Sequence, residues 1–286
     1  MAILKTENLT YRYGEGTPFE TVALDNVSIE LEAGELVAVI GHTGSGKSTL
    51  IQHFNGLLKP TSGKIYVDGQ DIWESKKTLK ASRFFVGLCF QYPEYQLFEE
   101  TAYKDIAFGP KNQKLSEEEI DRRVHRAAEF VGLPEALLEK SPFDLSGGEK
   151  RRVAVAGVMA MEPKVLILDE PTAGLDPRGR DQILQMIRDY RDNTGSTVMI
   201  VSHSMEDVAK IATRVLVMND AKVECYGTVE ETYQKAERLV EIGLDVPQIT
   251  KVFLQLKASG IPCRTDIYTL QQGVDEVRRL SGKEGV

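Results

Sequence analysis

The sequence predicts an α/β protein built on a parallel sheet, with an antiparallel β subdomain at its N-terminus, an inserted helical subdomain and a C-terminal helical extension. Three observations predict it. Short strand-like runs recur at residues 84–90, 165–168, 197–201 and 214–218, and helical patterns separate the later ones. The first forty residues alternate apolar and polar positions instead. Two further stretches carry helical periodicity with no convincing strand.

Taken in order, residues 3–9, 23–31 and 36–40 read as antiparallel strands around a loop at 14–19. A helix-like segment spans 49–58, and a strand at 64–67 is turned by Asp68-Gly69. Residues 92–162 read as the helical subdomain. Ser116-Glu117-Glu118-Glu119 is a capping box; Ile120, Val124, Ala127, Ala128 and Val131 then mark one helical face before Gly132. A second helix runs over 148–161 and stops at Pro163. The composition changes again after Gly227. Thr228-Val229-Glu230-Glu231 is another capping box, and helices follow at 229–243, 247–259 and 270–280. This tail, residues 228–286, either packs on its own chain or forms a docking surface.

A net charge of −8 argues against a nucleic-acid surface as the main partner. No apolar run approaches the ~18 residues that span a bilayer, and the start of the chain lacks the basic and apolar segments of a signal peptide. Cys89, Cys225 and Cys263 have no metal-ligand spacing and read as reduced thiols, so a cytoplasmic protein is expected.

Gly41-His42-Thr43-Gly44-Ser45-Gly46-Lys47-Ser48-Thr49 fits the phosphate-loop pattern G-x-x-x-x-G-K-[ST] between an apolar strand and a helix. Its glycines let backbone N–H groups turn onto phosphate oxygens, and the helix start adds positive potential. Lys47 then reaches the outer phosphates and the Ser48 hydroxyl binds Mg²⁺. A nucleotide site follows.

The apolar strand from Val165 empties into Asp169 and Glu170, which is costly unless the acids have a task. Adjacent strand residues face opposite ways, so the two should differ in role. Asp169 suits the Mg²⁺ shell, and Glu170 suits orienting or deprotonating the attacking water. Leu145-Ser146-Gly147-Gly148-Glu149 opens a helix, and such a start is a second anion site suited to a γ-phosphate.

The chain resembles the ATP-binding cassette (ABC) ATPases, P-loop NTPases with a RecA-like sheet, over about residues 1–227. The motifs fall in family order: residues 41–49, the lone Gln91, Leu145–Gly148 as signature, the acidic strand end, Ala173-Gly174-Leu175-Asp176, and His203 after the strand at 197–201. The resemblance implies a head-to-tail dimer in which Ser146, Gly147, Gly148 and Asp176 act in trans on the partner's ATP. It also implies that Gln91 helps bind Mg²⁺ and water, and that His203 contacts the γ-phosphate. An N-terminal ring stacks adenine in this family. Tyr13 is preferred here, although Tyr11 faces the same side of the strand.

Gln91-Tyr92-Pro93-Glu94-Tyr95-Gln96-Leu97-Phe98, the phosphate loop, the signature and the run Val246-Pro247-Gln248-Ile249-Thr250 resemble the ATPases of energy-coupling factor (ECF) transporters. Thr43 and Glu149 are closer to the second ATPase subunit. What this implies is a peripheral ATPase on the cytoplasmic membrane face, paired with a related, non-identical ATPase. Its other implied partners are a transmembrane coupling protein and a substrate-binding membrane protein, the cargo being a vitamin or transition-metal ion. Tyr92, Tyr95, Leu97 and Phe98 either line the coupling groove or seal the subdomain junction. The tail would help hold the ATPase pair together. An ordinary ABC importer subunit, or a non-transport cassette ATPase, is the alternative.

Overall fold

A computed structural model describes residues 2–282; Met1 and residues 283–286, the end of the expected tail, lie outside the described residues. The chain begins with β1 (Ala2–Tyr13), β2 (Thr21–Glu32), β3 (Leu36–Ile40), α1 (Lys47–Phe54), β4 (Ser62–Val67), β5 (Gln70–Asp71) and α2 (Lys76–Phe85). After β6 (Val86–Cys89) come α3 (Ala102–Asn112), α4 (Glu117–Phe130) and α5 (Gly147–Met159). The sheet resumes with β7 (Val165–Asp169), α6 (Pro177–Thr194), β8 (Thr197–Val201), α7 (Met205–Ile211), β9 (Arg214–Asn219) and β10 (Lys222–Thr228). Helices α8 (Val229–Tyr233), α9 (Ala236–Glu241), α10 (Gln248–Ala258) and α11 (Leu270–Leu280) complete it.

Two sheets form. One is antiparallel, ordered β2-β1-β4-β5; the other is ordered β10-β9-β3-β8-β7-β6, and is parallel except for β10. The placement of residues 36–40 with the antiparallel strands is therefore corrected: β3 sits inside the parallel sheet. All five of its residues are buried, because both faces of that sheet are covered. Alternation then divides the core in two. Leu36, Ala38, Ile40, Leu166, Leu168, Val198 and Ile200 pack toward the helical subdomain, α6, α7 and the tail. Val37, Val39, Val165, Ile167, Met199 and Val201 pack toward α1 and the antiparallel sheet.

Other boundaries moved for local reasons. The strand expected at 84–90 is shortened because the unanticipated α2, capped by a Ser75–Thr78 box, runs through Phe85. Helix α1 ends at Phe54, four residues early, and Gly56 follows in the left-handed region. The helix expected at 229–243 is two helices, α8 and α9. Strand β10 was not anticipated.

Helices α3, α4 and α5 occupy the segment between β6 and β7, as expected of the helical subdomain. An open cleft of ≈ 220 Å³ runs between α4 and α6, with Arg123, Arg126 and Phe130 on one wall and Tyr190, Asn193 and Thr194 on the other. The tail packs on its own chain. Tyr233 is fully buried, donates to the Met205 carbonyl (3.1 Å) and stacks on Tyr268, while Leu239, Leu244 and Val246 join the main core. Val240, Val252, Leu270 and Val277 of the same tail stay exposed.

Candidate functional site

Four parallel strands point their carboxyl ends at one place. β3 delivers the loop of residues 41–49, β6 delivers Gln91, β7 ends on Asp169, and β8 leads to His203. Together they line an open cleft of ≈ 530 Å³ that contains Tyr13, Thr43, Gly44, Gly46, Lys47, Ser48, Thr49, Gln91, Asp169, Glu170 and His203.

Behind the loop the fit is close. A Cβ on Gly41 would meet the Met218 carbonyl oxygen at 2.4 Å and Ser45 Oγ at 2.5 Å, so glycine is required there by the chain itself. His42 Nε2 stands 3.2 Å from Asn219 Oδ1, joining the loop to the β9–β10 turn. Gly44, at φ 84°, faces open space on the cleft side. Helix α1 starts at Gly46 with no side-chain cap, which leaves its first N–H groups free for an anion.

Lys47 is buried and donates to the carbonyls of Gly41 (2.7 Å) and His42 (2.9 Å). Burial lowers its pKa, against the opposing pull of Glu170 and Asp169. Burial likewise raises Asp169, while Lys47 and a hydrogen bond from Ser48 hold it down. Glu170 is pushed up to about 7, first by burial and then by the Asp169 charge. His203 Nε2 lies 3.3 Å from Glu170 Oε1, an oxygen that is buried and receives no hydrogen bond. Burial and Lys47 lower the His203 pKa.

Glu170 corrects one expectation about its orientation. It does not continue the strand pleat: β7 ends at Asp169, and Glu170 adopts φ 49°, in the left-handed region. The acids do diverge, through a turn and not through strand alternation.

These shifts carry a pH dependence. In the folded chain Glu170 holds its proton more tightly than its ordinary carboxyl value of 4.5 would allow. Its contribution to folding is thus fully present below about pH 4.5 and is lost as the pH rises through about 7. Denaturant titrations across that window are expected to show Glu170→Gln gaining stability relative to wild type as pH rises. Parallel curves would place the proton elsewhere.

The donor set fits ATP with Mg²⁺. Ser48, Asp169 and Gln91 offer the hard oxygen ligands that Mg²⁺ takes. Among the described residues no group of three or more His, Cys, Asp or Glu could hold a metal alone, so the remaining ligands would be phosphate and water. The buried, unpartnered Ser45 Oγ is a further free polar group in the loop.

Tyr13 and Tyr11 separate clearly. Tyr13 is exposed at the cleft, with its hydroxyl 3.3 Å from Thr49 Oγ1. Tyr11 turns its ring onto His53, at 4.8 Å, and packs against the core. Ser146, Gly147, Gly148 and Asp176 lie outside the cleft lining. Ser146 caps α5, and its hydroxyl donates to Glu149 Oε2 at 2.7 Å. Tyr92, Tyr95 and Phe98 are exposed, and Phe98 meets Phe108 edge-on at 5.1 Å. Leu97 is half-buried against the core.

Sequence reasoning missed Thr21, Val22 and Ala23, which wall the cleft because Thr21 pairs with Tyr13 across β1–β2. It also missed the buried Asp207, which holds Thr172 at 2.9 Å; its spacing of four from His203 was the available signal.

Residues 24–173 match the ABC transporter family profile. The chain is 54% identical over 284 residues to the energy-coupling factor transporter ATP-binding protein EcfA2 of Caldanaerobacter subterraneus subsp. tengcongensis, covering 99% of each. It is 58% identical over 278 residues to the protein of that name from Clostridium perfringens, covering 97% and 98%. Among solved structures, cbiO1 of Clostridium perfringens, part of the ABC transporter complex cbiONQ, matches with TM-score 0.74 at 42% identity, over 91% of this chain and 97% of that one. A dimeric ATP-binding cassette bound to ADP and Pi matches with TM-score 0.70 at 30% identity, over 79% and 98%. With likeness of that extent, the chain belongs to the ABC transporter family of ATP-binding cassettes.

Proposed function

We propose that this chain is the ATP-binding and hydrolysing motor subunit of an energy-coupling factor transporter, driving uptake of a vitamin or a transition-metal ion. One observation carries the reading: likeness to the energy-coupling factor ATPases spans 99% of the chain, helical tail included, whereas the dimeric cassette covers 79% of it. The chain then divides into a nucleotide-binding domain, residues 1–227, and a tail, residues 228–286.

In this reading adenine stacks on Tyr13, and the phosphates follow the loop from Gly41 to Thr49, with Lys47 at the outer phosphates. Bound Mg²⁺ supplies charge neutralisation on the phosphate oxygens, held by Ser48, Asp169 and Gln91. Glu170 takes the proton of the attacking water; a carboxyl with a pKa near 7 is matched to that task at neutral pH. His203, beside Glu170, contacts the γ-phosphate.

Ser146, Gly147, Gly148 and Asp176, outside their own cleft, act on ATP held by a second ATPase docked head to tail. That partner is non-identical, as Thr43 and Glu149 suggest. The exposed Val240, Val252, Leu270 and Val277 give the pair a second contact. Tyr92, Tyr95 and Phe98 receive the transmembrane coupling protein, which in turn holds the substrate-binding membrane protein. No described helix is long and apolar enough to cross a membrane, and the chain sits on the cytoplasmic face through these partners.

Tagged chain taken from detergent-solubilised membranes is expected to bring a second cassette ATPase and a polytopic protein with it. Recovery with ribosomes or DNA-repair factors instead would overturn the reading.

A further inference from the structure

We infer that Arg151 is a positioning residue for Glu170, and that it ties the signature helix to the chain's own catalytic turn. The inference rests on the proposed role of Glu170 as the base.

Arg151 stands on α5, five residues after Ser146, and is buried at 7% exposure. Its surroundings include Cys89, Phe90, Val155 and Leu168 together with Asp169, a mostly apolar pocket with one carboxylate in its lining. A guanidinium in such a place is costly unless its donors are answered. Here they are answered by the main chain: Nη1 donates to the Ala173 carbonyl at 2.8 Å and Nη2 to the Glu170 carbonyl at 3.2 Å. The planar fork of arginine suits two acceptors held in fixed relation, and lysine cannot reproduce it.

The segment that receives those bonds is the one under strain. Glu170 occupies the left-handed region, where a side chain beyond glycine is disfavoured and persists only if its surroundings impose it. A turn follows at once, closed by the Ala173 N–H donating to the same Glu170 carbonyl at 3.1 Å. From the other side, Thr172 donates to the buried carboxylate of Asp207 on α7, just after His203. The turn carrying the base is thus clamped between α5 and α7.

Helix α5 begins with Ser146-Gly147-Gly148, the end assigned to the partner's nucleotide. Five residues of helix span about 7.5 Å. A shift of α5 on the partner's ATP therefore reaches the Glu170 carbonyl through one side chain.

The test is a double-mutant cycle on the chain assembled with its partners. Arg151→Gln is expected to lower kcat about 10–100-fold, the range for misplacing a catalytic group by about 1 Å. ATP KM and nucleotide affinity are expected to stay within about twofold, since no phosphate contact is lost. In a Glu170→Gln background the same change is expected to add almost nothing, because the group it positions is gone. A purely structural role would instead lower activity in both backgrounds and disturb nucleotide affinity. Should Arg151→Gln fail to fold, Arg151→Lys decides: a loss of kcat with normal ATP affinity supports the inference, and wild-type kcat overturns it. Full activity of Arg151→Gln beside an inactive Glu170→Gln sinks this inference alone. Full activity of Glu170→Gln sinks the assignment of the base, and the inference with it.

Discussion

Glu170→Gln is expected to bind ATP normally and to hydrolyse it about 10²–10⁴-fold more slowly, the range for losing a general base. The geometry makes this a clean substitution. Glutamine keeps the size of the side chain, and its amide can occupy the place of the carboxylate beside His203. What disappears is the ability to take a proton, in a group whose burial and neighbouring Asp169 have brought it to about 7. The strained backbone at this position is retained, since neither side chain relieves it. Phosphate release under single-turnover conditions, beside nucleotide affinity by equilibrium binding, separates the two effects. Turnover near wild type with intact binding would remove Glu170 from the base role.

Gly148→Ala is expected to act in two opposite directions. In the assembled ATPase pair, on the proposed trans role of the signature, it should abolish most hydrolysis, by about 10²-fold or more, because a methyl group would stand against the partner's nucleotide. In the isolated chain it should stabilise the fold. A Cβ at Gly148, or at Gly147, would meet nothing within 4 Å, and neither residue has a positive φ. Alanine is the better helix former by up to about 1 kcal/mol in a helix interior, less in a first turn. A rise of about 1–3 °C in melting temperature is the consequence for a chain of this size. Nothing within the described residues requires glycine here. If the variant hydrolysed ATP normally within the pair, the signature could not be lying on the partner's nucleotide.

Much of the site was legible because its chemistry is local in sequence. Glycine spacing sets the phosphate loop, and the residues that end apolar strands at Asp169 and before His203 mark the carboxyl edge of a parallel sheet. Strand membership was harder. β3 was first grouped with the antiparallel strands because its neighbours alternate, though its own five residues do not. β10 escaped because its hairpin turn has no glycine: Asp220 and Ala221 both adopt positive φ, a conformation usually announced by Asn-Gly or Asp-Gly. Arg151 was visible only as a basic residue in a helix. That it is buried, and that it bonds the turn carrying Glu170, depends on contacts across about twenty residues that no spacing encodes.

The cleft between α4 and α6 makes the seam on that side of the helical subdomain polar. Its walls carry Arg123 and Arg126, whose charges are shared with Glu162, and Phe130 meets Tyr190 edge-on at 5.5 Å. A packed apolar seam resists shear, since sliding opens voids and exposes hydrocarbon. A wet, charged seam exchanges partly exposed ion pairs for hydration at about 0–1 kcal/mol each. A displacement of the helical subdomain would cost least along this line, since the contacts it breaks are polar and partly hydrated.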